Sequence, residues 1–331
     1  MNKIVNDSRL IYKCCKMYYE EDQSQQSIAE ELGVSRVSVS RMLKAGRDSK
    51  MVVIQVISPT SATYSVLEKK LEEIYGLKEA VVVEKSPLAT SYDHLTMLGR
   101  EAVKLLENYL HDEDIVGVSM GVTLHNVCHS PRHNDKVIDC MFVPVLGGIG
   151  IESEAIEQIH SNQIAAGFAK LFGGKYIEFY SPAMFSSKEL MEGFMNEKPM
   201  KRIKRHYRQI STVIMGVGIP GRAASTMIKA GYITAAELSE MVEKGMVGDL
   251  ALQFYDKNGS TEKFREFNER VAGLPLEQLV HVKNKIAIGS GEERAEAVSG
   301  AIKGGYINIL VTDRACAEKL IMMEEEECQE K

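Results

Sequence analysis

The chain has 331 residues, 44% of them hydrophobic and 26% charged, with a formal net charge of −6. That length points to two domains, or to a small domain joined to a large one, and the composition is ordinary for a globular protein. No apolar run reaches the length of about 20 residues that crosses a bilayer, and the first residues lack the apolar core of a signal peptide, so a cytoplasmic protein with no membrane partner is expected.

The charge is unevenly spread. Residues 1–58 hold nine Lys/Arg against seven Asp/Glu, which leaves −8 for the remainder. Within 33–50, Arg36, Arg41, Lys44, Arg47 and Lys50 face Asp48 alone. A small basic element on an acidic body suits a protein that touches phosphates at one place. The six cysteines, Cys14, Cys15, Cys128, Cys140, Cys316 and Cys328, are scattered without a CxxC pair and read as reduced thiols.

In chain order, the apolar spacing predicts a helix over 7–21 and a second over 25–32, with Ser24 as N-cap and Gly33 as its stop. Ser35 caps a third helix to about residue 45. Ile28, Ala29 and Leu32 point one helix inward, and Val34, Val37 and Leu43 hold the next against it. This is a helix-turn-helix pattern, and the DNA-facing set is Gln25, Gln26, Ser35, Arg36, Ser38, Ser40 and Arg41. A strand over 51–57 fits a winged variant. Ser58-Pro59-Thr60 marks a boundary between a DNA-binding domain at 1–58 and a larger domain at 59–331.

The larger domain reads as alternating strands and helices. Strands are expected at 80–83, 115–118, 140–146, 176–179, 212–217, 251–254, 285–288 and 307–312. Helices are expected at 62–75, 92–110, 153–172, 234–244, 293–303 and 314–323. This alternation predicts an α/β fold with a mostly parallel sheet. The run Asp114–Thr123 reads as strand, then G-x-S-x-G-x-T, then helix. Gly117 and Gly121 let the backbone approach a ligand, Ser119 and Thr123 offer hydroxyls, and a helix start favours an anion. Further glycine turns at 147–150, 216–218 and 289–291 are expected to converge on one crevice.

These motifs, with Tyr18-Tyr19, Val143–Gly148, Ser181-Pro182-Ala183, Gly245–Asp249 and the closing Leu310-Val311-Thr312-Asp313, resemble the SorC family of sugar-binding regulators, also called DeoR-type regulators. The resemblance covers nearly the whole chain. It implies a winged helix-turn-helix joined to a Rossmann-like effector domain similar to sugar-phosphate isomerases, deaminases and CoA transferases. It further implies a homo-oligomer, dimer or tetramer, whose operator DNA binding is controlled by a phosphorylated sugar, with no cofactor. By position, Ser119, Gly121 and Thr123 resemble the ligand-cradling loop, and Gly148, His160 and Asn162 a second loop and its helix. Asp249 resembles a carboxylate that accepts sugar hydroxyls. Arg294 stands where the family commonly has a phosphate-binding lysine.

Two other readings stay open in the sequence. A sugar-phosphate isomerase or deaminase would share the ligand chemistry, with Asp249 and His160 as nominal acid and base. A metal sensor would use His125, Cys128, His129 and His133, which crowd into nine residues.

Overall fold

The computed structural model describes residues 7–49, 51–52, 64–84, 91–148, 159–219, 228 and 232–329. The chain separates into two compact units, 1–60 and 61–331.

The first unit contains three helices: α1 (Ser8–Tyr19), α2 (Gln25–Leu32) and α3 (Arg36–Asp48). Their boundaries follow local chemistry. The Ser24 hydroxyl accepts from the Ser27 N–H at 3.1 Å, and the Ser35 hydroxyl accepts from the Ser38 N–H at 3.1 Å. Between them Gly33 adopts φ 64°, ψ 33°, the left-handed turn that glycine enters without a Cβ penalty. Ile11, Cys14, Cys15, Met17, Ile28, Ala29, Val39, Met42 and Leu43 form the core. At Gly46 a Cβ would run into the Cys15 sulfur, so α1 and α3 cross closely there. Val37 departs from the expected inward set. It is 61% exposed, and Val39 and Met42 take the buried positions. The stripe 39, 42, 43 and 46 is the i, i+3, i+4, i+7 face that a helix buries. Of the predicted strand and wing at 51–57, residues 53–57 lie outside the described residues, as does the Ser58–Thr60 boundary.

The second unit is built on a seven-stranded sheet. Its elements run α4 (Ser65–Tyr75), β1 (Glu79–Val83), α5 (Ser91–Tyr109), β2 (Ile115–Val118), α6 (Val122–Cys128), β3 (Met141–Pro144) and α7 (Ser161–Phe172). Then come β4 (Lys175–Tyr176), α8 (Lys188–Met195), α9 (Met200–Tyr207), β5 (Thr212–Gly216), α10 (Ala235–Glu243), β6 (Met246–Leu250) and β7 (Gln253–Asp256). The short helices α11 (Arg265–Asn268) and α12 (Leu276–Leu279) precede β8 (Asn284–Ile288), α13 (Ala295–Lys303), β9 (Ile309–Asp313) and α14 (Arg314–Gln329).

The sheet order is β1-β9-β8-β5-β2-β3-β4, and every pairing in it is parallel. Its strands alternate between two cores: Val213, Met215 and Leu310 face one, with Leu71, Val298 and Leu320. Ile214, Ile309 and Val311 face the other, with Leu98, Leu124 and Phe168. Both faces are thus covered, as a parallel sheet requires. The α/β expectation is met, with the parallel sheet as read. Two strands differ: that expected at 176–179 is only Lys175–Tyr176, and the stretch 251–254 contains a turn, with β6 pairing β7 as a separate antiparallel hairpin. Of the expected helix 153–172, residues 153–158 lie outside the described residues, and α7 starts at Ser161.

From β2 the chain proceeds to β3 and β4 on one side, and from β5 to β8 and β9 on the other. The order therefore reverses between β2 and β5. In an open parallel sheet, a crevice for ligands forms outside the carboxyl ends of the strands at such a point.

Candidate functional site

On the first unit, α3 presents an outward stripe. Arg36, Val37, Ser40, Arg41 and Lys44 are exposed, and Val37, Ser40, Arg41 and Lys44 fall at i, i+3, i+4, i+7. Ser38 is half-buried and its hydroxyl lies 2.9 Å from that of Ser35, so these two serve the cap. Gln26 is exposed and donates to Glu30 at 2.9 Å, while Gln25 is half-buried. Arg47 donates to the Tyr19 hydroxyl at 3.0 Å, which ties α3 back to α1. The sequence reading had Val37 inward, and it had Lys44 in the basic element but outside the DNA-facing set. An exposed valine beside arginine and serine offers apolar contact to a thymine methyl. Val37→Glu is expected to weaken duplex binding about tenfold or more, since a lost base contact costs roughly 1–3 kcal/mol. The melting temperature should stay near that of the parent. Fluorescence anisotropy and thermal melting check the pair, and a variant that unfolds would refute the surface assignment.

On the second unit, the strand ends bring the predicted residues to neighbouring positions. Ser119 follows β2, is 2% exposed, and its hydroxyl accepts from the Gly216 N–H of β5 at 3.4 Å. Its own N–H donates to the Ile214 carbonyl at 3.1 Å, so Ser119 sits at the point where strand order reverses. Gly121 precedes α6 with φ 128°, ψ 163°, and its N–H donates to the Ile159 carbonyl at 2.9 Å. Thr123 is half-buried in the first turn of α6.

His160 stands at the N-cap of α7, 8% exposed, with its imidazole against Gly148 at the exit of β3. A Cβ at Gly148 would fall inside that ring. The neighbouring Ser161 hydroxyl donates to the Leu146 carbonyl at 2.7 Å. Asn162 turns elsewhere: its Oδ1 accepts from the Phe179 N–H at 2.8 Å and its Nδ2 donates to the Phe179 carbonyl at 3.4 Å. Its amide thereby holds the chain that leaves β4.

Asp249 ends β6 beside the exit of β5. Gly218 and Asp249 exchange backbone hydrogen bonds at 2.9 and 3.1 Å, and the carboxylate packs over the Gly218 Cα, where a side chain would collide. Its Oδ2 accepts from the Leu252 N–H at 3.1 Å. Burial pushes the carboxyl up to about 6, against the opposing pull of that N–H. The turn it supports is unusual, with Ala251 at φ 49° and Leu252 at φ 65°. A two-residue hairpin turn of this kind ordinarily takes Asn or Gly.

Arg294 lies on the 3-10 turn after β8. Its Nε donates to the Val217 carbonyl at 3.3 Å, Nη1 donates to Ser290 O, and the Glu293 carboxylate is 3.7 Å from Nη1. It therefore spans the exits of β5 and β8. The same turn is tethered from β9, where Asp313 Oδ1 accepts from the Gly291 and Cys316 N–H groups, each at 3.0 Å. The buried His94 of α5 places Nε2 3.2 Å from Asp313 Oδ2. Sequence reasoning missed His94 and Asp313 as a pair. The only signal was a carboxylate at the end of a predicted strand.

Adjacent strands β3, β2, β5 and β8 thus carry Gly148 with His160, Ser119, Gly218 with Asp249, and Arg294 at one sheet edge. Hydroxyl, imidazole, carboxylate and guanidinium there supply acceptors for hydroxyls and donors for an anion. At Gly121 a Cβ would meet nothing within 4 Å, so a substitution acts through the backbone alone. Gly121→Ala is expected to cost roughly 1–3 kcal/mol, the range for a residue forced into glycine-only backbone space. A urea titration reads it, and an unchanged midpoint would show that the turn relaxes freely.

The residues of the metal reading bond locally. The His125 and His129 rings lie tilted at 38° with centroids 4.3 Å apart, and the His129 Nδ1 lies 2.7 Å from the His125 carbonyl. Burial pushes the Cys128 thiol up to about 12. Among the described residues, no group of three His, Cys, Asp or Glu side chains is placed to hold a metal ion, and no helix is long and apolar enough to cross a membrane.

Residues 61–322 match the Sugar-bind family, a sugar-binding domain. The chain is 29% identical over 316 residues to the sorbitol operon regulator of Klebsiella pneumoniae, covering 96% of this chain and 98% of that one. It is 28% identical over 314 residues to the deoxyribonucleoside regulator of Bacillus subtilis, covering 95% and 97%. The crystal structure of the full-length Klebsiella regulator, SorC, superposes with a TM-score of 0.78 at 30% identity over 96% of this chain and 99% of that one. The fold, the sugar-binding domain and the end-to-end likeness to these transcription regulators agree, and the chain belongs to the SorC family of sugar-binding transcriptional regulators.

Proposed function

We propose that the protein is a cytoplasmic transcription regulator that binds operator DNA through α3 and releases or engages it in response to a phosphorylated sugar. The observation that carries the sensor half is the convergence of Ser119, Gly148 with His160, Gly218 with Asp249, and Arg294 on adjacent strand exits around the β2–β5 reversal. Asp249, an acceptor when ionised, suits sugar hydroxyls and repels phosphate, whereas Arg294, Ser119 and the backbone at Gly121 suit the anion. Thr123 stands in the first turn of α6 toward the same role. Asn162 contributes by positioning the chain at Phe179.

On this reading the domain limits are 1–58 for DNA and 59–331 for sensing and oligomerisation. The working unit is a dimer or a dimer of dimers, because one helix-turn-helix covers few base pairs and symmetric half-sites require paired heads. The protein acts by binding and performs no turnover. Two of its relatives are a sorbitol operon regulator and a deoxyribonucleoside regulator, so phosphorylated sorbitol and deoxyribose head the panel of candidate effectors.

A thermal-shift screen of free and phosphorylated sugars tests the reading, since a ligand that binds the native state raises apparent stability. A selective shift with a phosphorylated sugar is expected, together with a change in operator affinity. Equal shifts from a sugar and its phosphate would sink the anion site. Conversion of the added sugar phosphate to product would replace the regulator by an enzyme.

A further inference from the structure

The acidic second unit carries one concentrated basic surface. Residues 196–209 hold Lys198, Lys201, Arg202, Lys204, Arg205 and Arg208 against Glu197 alone. On α9, Ile203 and Tyr207 are buried and fix the helix to the core. That leaves Lys201, Arg205 and Arg208 exposed at i, i+4, i+7, with Arg202 exposed beside them. This row is about 10 Å long at 1.5 Å per residue.

Several other cations of the unit are held by carboxylates. Lys175 pairs with Asp139 at 2.9 Å, Lys188 with Glu269 at 3.0 Å, Lys303 with Glu324 at 2.8 Å and Arg314 with Glu318 at 2.7 Å. Among the described residues, Lys201, Arg202, Arg205 and Arg208 form no ion pair, and neither Glu178 nor Glu197 reaches them. Burial, and then the neighbouring Arg202 and Arg205, hold the His206 imidazole below its usual range.

The row borders an open cleft of about 740 Å³ at the β4 edge of the sheet. Lys198 and Arg202 line it together with Glu178, Tyr176 and Tyr180; the two tyrosines are 46% and 68% exposed, and the Tyr180 hydroxyl donates to the Glu178 carboxylate. Exposed arginines in a row, with no ion pair among the described residues and an exposed Tyr176 beside them, are groups that contact a nucleic-acid sugar-phosphate backbone. Duplex DNA presents about one charge per 1.7 Å of axis, so a 10 Å row meets several phosphates at once.

We propose that the α9 surface, Lys201, Arg202, Arg205 and Arg208 with the Tyr176–Tyr180 edge, is a second DNA contact that binds the phosphate backbone without reading sequence. It rests on the DNA-binding reading of the first unit and adds to it. The sensor domain then supplies part of the affinity directly.

The test uses the full chain and a generic 40-bp duplex, because a backbone contact requires no operator. Anisotropy titrations across a salt series give the slope of log affinity against log salt, about −0.9 per phosphate neutralised. The quadruple variant Lys201→Gln/Arg202→Gln/Arg205→Gln/Arg208→Gln is expected to lower the magnitude of the slope by roughly 2–4. The pair Arg205→Gln/Arg208→Gln should give about half that change, and serves if the quadruple variant folds poorly. Replacing the three arginines by lysine should restore the slope. An unchanged slope in both variants, while Arg41→Ala weakens binding, overturns the α9 contact and leaves the helix-turn-helix reading standing. An unchanged slope with altered mass in light scattering assigns the surface to a protein partner instead, and also overturns it. A wild-type chain that binds no duplex at low salt overturns both.

Discussion

Replacing Asp249 by Asn should stabilise the protein at pH 7.5 by about 3 kcal/mol while weakening its hold on the effector. The carboxyl is 8% exposed and burial raises it from 3.8 to about 6, a shift of roughly two units. Each unit corresponds to about 1.4 kcal/mol of preference for the neutral form in the folded protein. The sign follows from proton binding. The folded state takes up the proton more readily than the unfolded state, so stability is greatest below the unfolded value near 3.8. It falls as pH rises to about 6 and is level above that. Asparagine has no charge to desolvate, and its Oδ1 can still accept the Leu252 N–H that supports the left-handed turn at Ala251 and Leu252. Urea titrations of both proteins at pH 4, 5, 6 and 7.5 should show the gap opening across this window. A gap of one size at every pH would remove the carboxyl as its cause. Effector affinity of the parent should drop as pH falls below 6, because hydroxyl donors favour the ionised form. The group is thus costly when the site is empty and is relieved when sugar hydroxyls replace the lost water, as expected of a binding residue.

What the sequence disclosed follows from how local each signal is. Ser24, Gly33 and Ser35 punctuate the helix-turn-helix through bonds to residues within three positions, and all three act as read. Ile115–Val118 and Ile286–Ile288 are apolar runs in a sheet covered on both faces, where no alternation is expected. Val37 was misread because it is apolar and three residues after Val34, although Leu43, six residues further on, lies on another face. Only the close crossing of α1 at Gly46 and Cys15 selects the Val39–Met42–Leu43 face. The β6–β7 hairpin was hidden because Ala251-Leu252 lacks turn residues, so an apolar run seemed to continue through it. Helix α9 escaped notice because Met200, Ile203 and Tyr207 are its only apolar residues in a stretch of cations. At the site, the glycine turns disclosed where the backbone could be approached. They could not disclose that Asn162 spends its amide on Phe179, or that His94 meets Asp313, since both are long-range pairings.

That last pairing carries the larger expected effect. Asp313→Ala should destabilise the protein by roughly 3–5 kcal/mol, the range for breaking a buried charged group away from its partners. Asp313 is 2% exposed, and its removal leaves the Gly291 and Cys316 N–H groups without an acceptor and the buried His94 without its carboxylate. Among the described residues neither His94 ring nitrogen has a hydrogen bond of good geometry, so the 3.2 Å approach to Asp313 is an electrostatic contact. Gly291 sits at φ 101° ahead of Arg294, and the Asp313 tether fixes that turn against β9. Loosening it should therefore also lower the preference for a phosphorylated over a free sugar. Burial works to raise the carboxyl, but His94 and the two N–H groups outweigh it and hold it below its ordinary value. A depressed carboxyl stabilises the fold fully above the unfolded value of about 3.9, and loses that contribution as pH falls through the lower folded value. The difference between parent and Asp313→Ala should accordingly shrink only in strong acid, whereas that for Asp249→Asn shrinks already from pH 6. Asp313→Asn, which keeps an acceptor for Gly291 but no charge for His94, should fall between parent and alanine. If Asn matches the parent in urea titrations, the stabilisation comes from the backbone hydrogen bonds alone and the His94 contact contributes nothing.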